Sequence, residues 1–498
     1  MLLNSFKCFL LVLTAPLAFS LDKVQLDSEG NFVNPQGQKI LFHGFNSVTK
    51  RAPWYFSQLT NRTKLQMYKD WGINIIRLGV MWAGVVPEQS VVDEAYLEKI
   101  EEIVDLCAEY GIYLLLDMHQ DVLSTAFGTY DGIPRWLVDQ LPKPPKLFSY
   151  PFPFMKPPRE WFENYLTYAA VDCAQKIYEN STGAWVHWGD FWSVVAKRFV
   201  NKSNVLGYEL INEPPTGNFY TNPARVLPSY MGKNYLLPVY DYLVNRIREV
   251  DNKTLIFYQP ITYGIFLPVY GNLIGTGFDR VPGIKSDPAA QQKSVLSYHY
   301  YCWLLQTGDP SKEMPSWKQK ICDELLMESV FNNARESSRT SGGGMFLTEF
   351  GLCAPDGNEK SVNTIECNTV LNKADAHFQS WTYWDGNFID STGNPVPTQV
   401  RSFSRAYPRH TYGTPQLMKF NVETGEFDYQ FVTTPTQFEQ VNATEIFIPN
   451  KVHYPNGVNV EVSPASVRSR IDGDLLVLSI PEGSTQLPIS IHVKITAK

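Results

Sequence analysis

Two stretches of the 498-residue chain deliver a glutamate in a similar way. Gly207-Tyr208-Glu209-Leu210-Ile211-Asn212-Glu213-Pro214-Pro215 places Glu213 where an apolar run stops, and proline enforces the stop. Gly344-Met345-Phe346-Leu347-Thr348-Glu349-Phe350-Gly351 does the same for Glu349, without a proline. Two carboxyl groups about 5–5.5 Å apart are what double displacement at a glycosidic carbon requires. Here Glu213 would start protonated and serve as acid/base, while Glu349 would stay ionised and attack the anomeric carbon. Asn212 is placed to hydrogen-bond a sugar 2-OH. Arg77 and the Tyr301 hydroxyl are the groups that would keep Glu349 ionised, by charge and by hydrogen bonding.

Such a pair needs a scaffold that brings distant segments together. Short apolar runs recur at 40–46, 73–80, 112–119, 205–213, 255–260, 295–301, 345–350 and 378–384. Most are too continuous in hydrophobicity for half-exposed strands and suit parallel strands covered on both faces. Segments 93–110, 237–250 and 317–335 between them carry a helical period. Strand and helix in alternation predict an α/β fold, a (β/α)8 barrel. A doubly wound open sheet fits less well, because no Gly-rich phosphate loop follows the first run.

After about residue 405 the pattern changes to short alternating segments, such as 445–449, 458–462, 475–480 and 489–493, separated by turn residues. This reads as an all-β sandwich. The expected division is a leader at 1–20, the barrel at 21–405 and the sandwich at 406–498. No Ser/Pro-rich linker separates the last two, so they should pack tightly.

Barrel sites gather at the C-terminal ends of the strands. The predicted strands end in Arg77, in Asp117, His119 and Asp121, in Asn212 and Glu213, in His299 and Tyr301, in Glu349, and in Trp381 and Trp384. One charge at a strand end is usually a solvated cap. A set drawn from most of the strands is harder to explain that way. The two tryptophans are three apart and should face opposite sides, so only one should line the site.

Composition narrows the classes. The formal charge of -7 argues against nucleic acid. Aromatic content of 14% suits sugar or lipid, although large cores use aromatics too. Lys7, the apolar run Cys8 to Leu13 and the small residues around Ala18 and Ser20 read as a secretory leader. Beyond it remain Cys107, Cys173, Cys302, Cys322, Cys353 and Cys367, an even set that fits disulfides in an oxidising compartment. Proximity favours Cys302 with Cys322 and Cys353 with Cys367, and Cys107 and Cys173 read as core thiols. Asn61, Asn180, Asn201, Asn252 and Asn442 are glycosylation sequons. Cysteine spacing matches no zinc motif, and no cofactor or metal is expected. His187, between Val186 and Trp188, reads as a packed helix residue.

The motifs together resemble glycoside hydrolase family 5. That resemblance implies Glu213 as acid/base and Glu349 as nucleophile, with Arg77, His119, His299, Tyr301 and one of Trp381 and Trp384 supporting them. Three further segments are similar to the endoglycoceramidases of that family: His43-Gly44-Phe45-Asn46-Ser47-Val48-Thr49-Lys50, Asp117-Met118-His119-Gln120-Asp121 and Asp131-Gly132-Ile133-Pro134-Arg135-Trp136. So is Thr444-Glu445-Ile446-Phe447-Ile448-Pro449. The resemblance implies cleavage of the β-glucosyl bond between oligosaccharide and ceramide, with Lys50 and Asp121 holding the first glucose. Other family 5 β-glycanase or β-glucosylceramidase activity is the alternative.

A ceramide leaving group needs an apolar slot. The proline-rich stretch 127–192 either forms its wall, through Trp136, Leu137, Leu141, Leu147, Phe148, Phe152 and Phe154, or packs on itself as a loop covering the barrel. Membrane contact should be peripheral, and the protein secreted or held in a lysosomal or digestive lumen.

Overall fold

The computed structural model describes residues 21–128, 132–266, 275–305, 308–386, 388–434, 444–479 and 488–498. The expected leader, Asp131 and Asn442 lie outside them. Asn61, Asn180, Asn201 and Asn252 are exposed.

Eight short strands close into a barrel, each within or overlapping one of the predicted runs. They are β1 (His43–Ser47), β2 (Ile75–Gly79), β3 (Tyr113–Asp117), β4 (Val205–Glu209), β5 (Leu255–Tyr258), β6 (Ser294–Tyr300), β7 (Gly344–Phe350) and β8 (Trp381–Tyr383). Neighbours are parallel, and β8 closes on β1 with Trp381 opposite His43. Alternation sorts the side chains. In β2, Ile76 and Leu78 join the core under the helices, while Ile75 and Arg77 turn into the lumen.

The lumen is layered. Its floor is apolar, built from Ile75, Leu115, Phe257, Val295 and Phe346 and plugged from below by Phe32, whose ring lies 5.8 Å from that of Phe346. Gly207 makes room for this floor, since a Cβ there would come within 2.4 Å of the Phe257 ring. The polar side chains therefore stack above it, toward the C-terminal ends of the strands.

Helices form where the period predicted them, at Glu94–Glu109 and Leu237–Arg248. Asp93 caps the first by accepting a hydrogen bond from the Tyr96 N–H. The third is broken differently from expectation: Ser316–Gln319 leads into a π-helical segment, Lys320–Met327, and then into Glu328–Ser341. Cys302–Cys322 and Cys353–Cys367 are disulfide-bonded, and Cys107 and Cys173 are buried thiols. His187 lies in the helix Ala184–Phe199 and meets the Trp136 ring edge-on.

The C-terminal strands form two antiparallel sheets around their own apolar core. One contains Thr414–Phe420, Phe427–Thr433, Ile489–Ala497 and Val458–Ser463. The other contains Tyr407–Thr411, Thr444–Phe447, Leu475–Ser479 and Arg468–Asp472, and it is extended by Gln25–Leu26, Phe32–Val33 and Lys39–Ile40 from before the barrel. Lys39–Ile40 pairs with Tyr407–Thr411. The contact with the barrel is close: Tyr407 stacks on His43 at 3.8 Å and donates its hydroxyl to the Gly72 carbonyl, while the buried Arg405 pairs with Asp375.

Candidate active site

A single guanidinium organises the polar layer. Arg77, at the centre of β2, has no exposed surface. It donates from Nε to Glu209 at 2.5 Å, from Nη1 to Asn46 at 2.9 Å and to Glu349 at 2.6 Å, and from Nη2 to Asn212 at 2.9 Å. Nη2 also lies 3.1 Å from Asp117. A buried charge persists only when paired and hydrogen-bonded, and here every donor direction is answered.

The two glutamates enter this frame by different local devices. In β7 the register against β6 slips between Leu347 and Glu349, a bulge. Leu347 and Phe350 face the helix-side core, while Thr348 and Glu349 both turn inward. Glu213 has a φ of 40°, a left-handed conformation for a non-glycine residue. Three contacts hold it: its N–H donates to Gln259 at 2.9 Å, and its carbonyl accepts from Gln120 at 2.8 Å and from Thr262 at 3.1 Å.

The carboxylates then converge. An oxygen of Glu213, a ring nitrogen of His299 and an oxygen of Glu349 all lie within 4.8 Å of one another. That proximity belongs to the retaining geometry, since inverting pairs stand about 6.5–9.5 Å apart to admit a water. His299 Nδ1 is 2.9 Å from Glu213 and 3.5 Å from Glu349. The Tyr301 hydroxyl donates to Glu349 at 2.8 Å. Burial works against an ionised Glu349, but the charges of His299, Arg77 and His119 and the Tyr301 hydroxyl outweigh it and hold the carboxyl below the usual range. For His299, burial is likewise outweighed, by Glu349 and Glu213, so its pKa is raised.

Beside this pair lies a polar end. Lys50 is ion-paired with Asp121 and sits 4.8 Å from the centre of the Trp384 ring. His119 stacks on Trp384 at 5.4 Å, with Asp117 2.7 Å from its Nδ1 and Asp121 3.4 Å from its Nε2. Burial opposes its charge, but the two aspartates outweigh burial and push its pKa to about 9. Asn212 presents its amide next to His119, with its Nδ2 donating to the Gln120 carbonyl at 3.0 Å. Of the strand-eight tryptophans, Trp384 reaches the cleft. Trp381 does not: it is fully buried between His43, Phe350 and Phe403, so its placement among the binding residues is corrected here.

The cleft has a volume of about 740 Å³, and its other end is apolar. Trp161 belongs to the polar end, its ring centre 5.6 Å from Lys50 Nζ, and the apolar wall comes from Phe162, Phe266, Trp303, Leu326 and Leu352. None of the residues expected from the proline-rich stretch lines it. Leu137 and Leu141 are core residues, Trp136 packs on His187, and Phe148 and Phe152 pack on Tyr168 and Tyr220. Leu147 is 74% exposed. The stretch contributes a different part, the 3-10 turn Trp161–Leu166.

Sequence reasoning missed three residues of the frame. Glu209 is buried and accepts from Arg77, from Gln259 at 2.6 Å and from the Ser297 hydroxyl. Gln259 also meets His299 at 3.1 Å, and Asn46 donates to the Thr348 carbonyl at 3.0 Å. The signal of Glu209 and Gln259 was lumen-side parity within apolar runs, and that of Asn46 was a polar residue closing the first run.

Glu213, His299 and Glu349 are also the group among the described residues whose donor atoms approach closely enough for a metal ion. Those donors already serve one another, Arg77 and Tyr301. The guanidinium 2.6 Å from Glu349 occupies the electrostatic place that a cation would take.

Comparison with known proteins agrees with this geometry. The family model "Cellulase (glycosyl hydrolase family 5)" matches residues 33–389, and "Glycoside hydrolase family 5 C-terminal domain" matches 405–495. The chain belongs to glycoside hydrolase family 5. This family 5 chain is 33% identical to an endoglycoceramidase of Cyanea nozakii, over 91% of the chain and 90% of the relative. It is 31% identical to an endoglycoceramidase of Hydra vulgaris, over 89% and 84%. Its fold is similar to that of endo-glycoceramidase II from Rhodococcus sp., solved as a ganglioside GM3 complex, with a TM-score of 0.72 at 23% identity, covering 93% of this chain and 98% of that one. As a family 5 member it is a retaining glycoside hydrolase.

Proposed function

We propose that this enzyme releases intact oligosaccharide from glycosphingolipids by cleaving the β-glycosidic bond to ceramide in two displacements. Glu349 attacks the anomeric carbon while Glu213 gives its proton to the departing ceramide oxygen, leaving a glycosyl ester on Glu349. Glu213, now ionised, takes a proton from water. The hydroxide so generated attacks the same carbon, frees the sugar and restores both glutamates. Asn212 hydrogen-bonds the 2-OH, and Lys50, Asp121, His119 and Trp384 hold the first glucose.

The observation that carries this reading is a close carboxylate pair between a polar end and an apolar end of one cleft. Each lipid CH2 taken from water contributes roughly 0.8 kcal/mol, so an apolar end favours a lipid leaving group over a soluble glycan. The two disulfides fit an oxidising compartment, so the enzyme acts outside the cytosol, in a secreted or digestive setting, and the exposed sequons at Asn61, Asn180, Asn201 and Asn252 fit a glycoprotein.

The test incubates purified protein with lactosylceramide, a ganglioside, glucosylceramide and a soluble β-glucan, and identifies products by mass spectrometry. Intact glycan plus ceramide is expected from the first two. Cleavage of the glucan alone, or of glucosylceramide alone, would replace the reading with a β-glycanase or a glucosylceramidase. Glu349→Gln should lower turnover by at least about 10³-fold, since it removes the nucleophile.

A further inference from the structure

The apolar wall of the cleft continues onto the outer surface. Trp303 lines the cleft yet is 59% exposed. Trp317 and Leu325 stand outside the cleft and are 58% and 59% exposed. They belong to two segments fastened to each other. Trp303 follows β6 in the turn Trp303–Leu305, and the other two lie in the helical run 316–327. The Cys302–Cys322 disulfide joins the segments, Lys318 Nζ donates to the Leu304 carbonyl at 2.9 Å, and the Tyr300 hydroxyl donates to the Cys322 carbonyl at 2.9 Å. Leu326, next to Leu325, turns back into the cleft. Large apolar side chains thus stand on a braced lip at the apolar end of the site.

We propose that this lip docks on a lipid bilayer, so that the cleft opens onto the headgroup layer where a ceramide-anchored sugar is presented. The proposal rests on the glycosphingolipid reading above. Continuity decides the occupant: the wall that would receive the leaving lipid and the exposed lip share Trp303, and they meet where Leu326 of the wall adjoins Leu325 of the lip. Composition agrees, because indole rings, a leucine and a lysine stem suit the zone between headgroups and acyl chains. Electrostatic adsorption to an anionic surface does not fit, given a formal charge of -7. Apolar insertion carries the contact, and it is peripheral, since no helix of the described residues is long and apolar enough to cross a membrane.

The test uses the full chain and phosphatidylcholine vesicles with and without a minor fraction of lactosylceramide. Trp317→Ser/Leu325→Ser should lower the vesicle-bound fraction at least about fivefold, and turnover of vesicle-borne lactosylceramide with it. Hydrolysis of a soluble aryl β-lactoside should stay within about twofold, which shows that the variant is folded and its site intact. Wild-type binding should survive high salt, unlike ion-driven adsorption. Unchanged vesicle binding in the variant, or loss of wild-type binding at high salt, would overturn the proposal. So would light scattering that shows a dimer lost in the variant, because the lip would then meet a second copy. Vesicles lacking glycolipid read docking independently of cleavage. Failure of the wild type to cut detergent-dispersed lactosylceramide sinks the substrate reading instead.

Discussion

Glu349 accepts a hydrogen bond from Arg77 at 2.6 Å, and Arg77 itself is sealed from solvent. Lysine keeps the charge but has no planar fork, so it cannot reach Glu349, Asn46, Asn212 and Glu209 together. Arg77→Lys should lower kcat/KM at least about a hundredfold and cost several kcal/mol of stability, since buried carboxylates lose their partner. Steady-state kinetics and a thermal melt check both halves. A variant with wild-type melting and activity would mean that the guanidinium positions nothing.

The Tyr301 hydroxyl stabilises the ionised form of Glu349. Removing it favours the protonated form and raises the carboxyl pKa. The acid limb of the kcat/KM profile reports when the free enzyme's nucleophile becomes protonated, so in Tyr301→Phe that limb should move to higher pH by about one unit. A limb that stays in place would detach the tyrosine from the nucleophile.

Glu366 is fully buried beside Asp323 and Tyr300, away from the cleft. Burial, then the neighbouring Asp323 carboxyl, push its pKa up to about 8. Burial is also the main cause that raises Asp323 to about 6. A carboxyl whose folded pKa is raised keeps its proton where the unfolded chain has released it. Its stabilising effect is complete below the unfolded value near 4 to 4.5 and is lost as pH climbs toward 8. The wild-type Tm should therefore fall between pH 5 and pH 8, and Glu366→Gln should flatten that slope and raise Tm at pH 8 by about 3 °C or more. Parallel melting curves for the two proteins would refute the account.

Trp381 and Trp384, three residues apart, should answer mutation differently. Trp381→Ala empties a core site and should cost about 3–5 kcal/mol, seen as a lower Tm. Trp384→Ala should leave Tm within a few degrees and raise KM for a soluble β-lactoside about tenfold or more, as its ring no longer covers the sugar. The reverse pattern would exchange their places.

These contrasts mark what the sequence discloses. Strands covered on both faces must be apolar along their length, so all eight were visible as runs, and the polar residues ending those runs led to Glu213, Glu349, His119 and His299, while Arg77, read as a strand end, proves to sit at the middle of its strand. Parity predicted that one tryptophan of the pair would be lost to the core, but it does not say which face is which. Glu209 and Gln259 lie inside or beside apolar runs, where a lone polar residue looks like noise until the lumen is assembled. The apolar wall stayed hidden because Phe162, Phe266, Trp303, Leu326 and Leu352 come from separate segments with no shared period. Proline and phenylalanine density in the long stretch signalled an irregular segment, not what it would face.

The ladder between Lys39–Ile40 and Tyr407–Thr411 bears on how the molecule is made. A ribosome releases the first of these strands long before the second exists, so that edge waits, uncovered, through synthesis of the whole cylinder. Phe32, the stopper of the cylinder's floor, belongs to the same waiting ribbon. Maturation of the base is therefore a late event that depends on the arrival of the tail. A nascent chain stalled before residue 407 should be held by chaperones rather than be active.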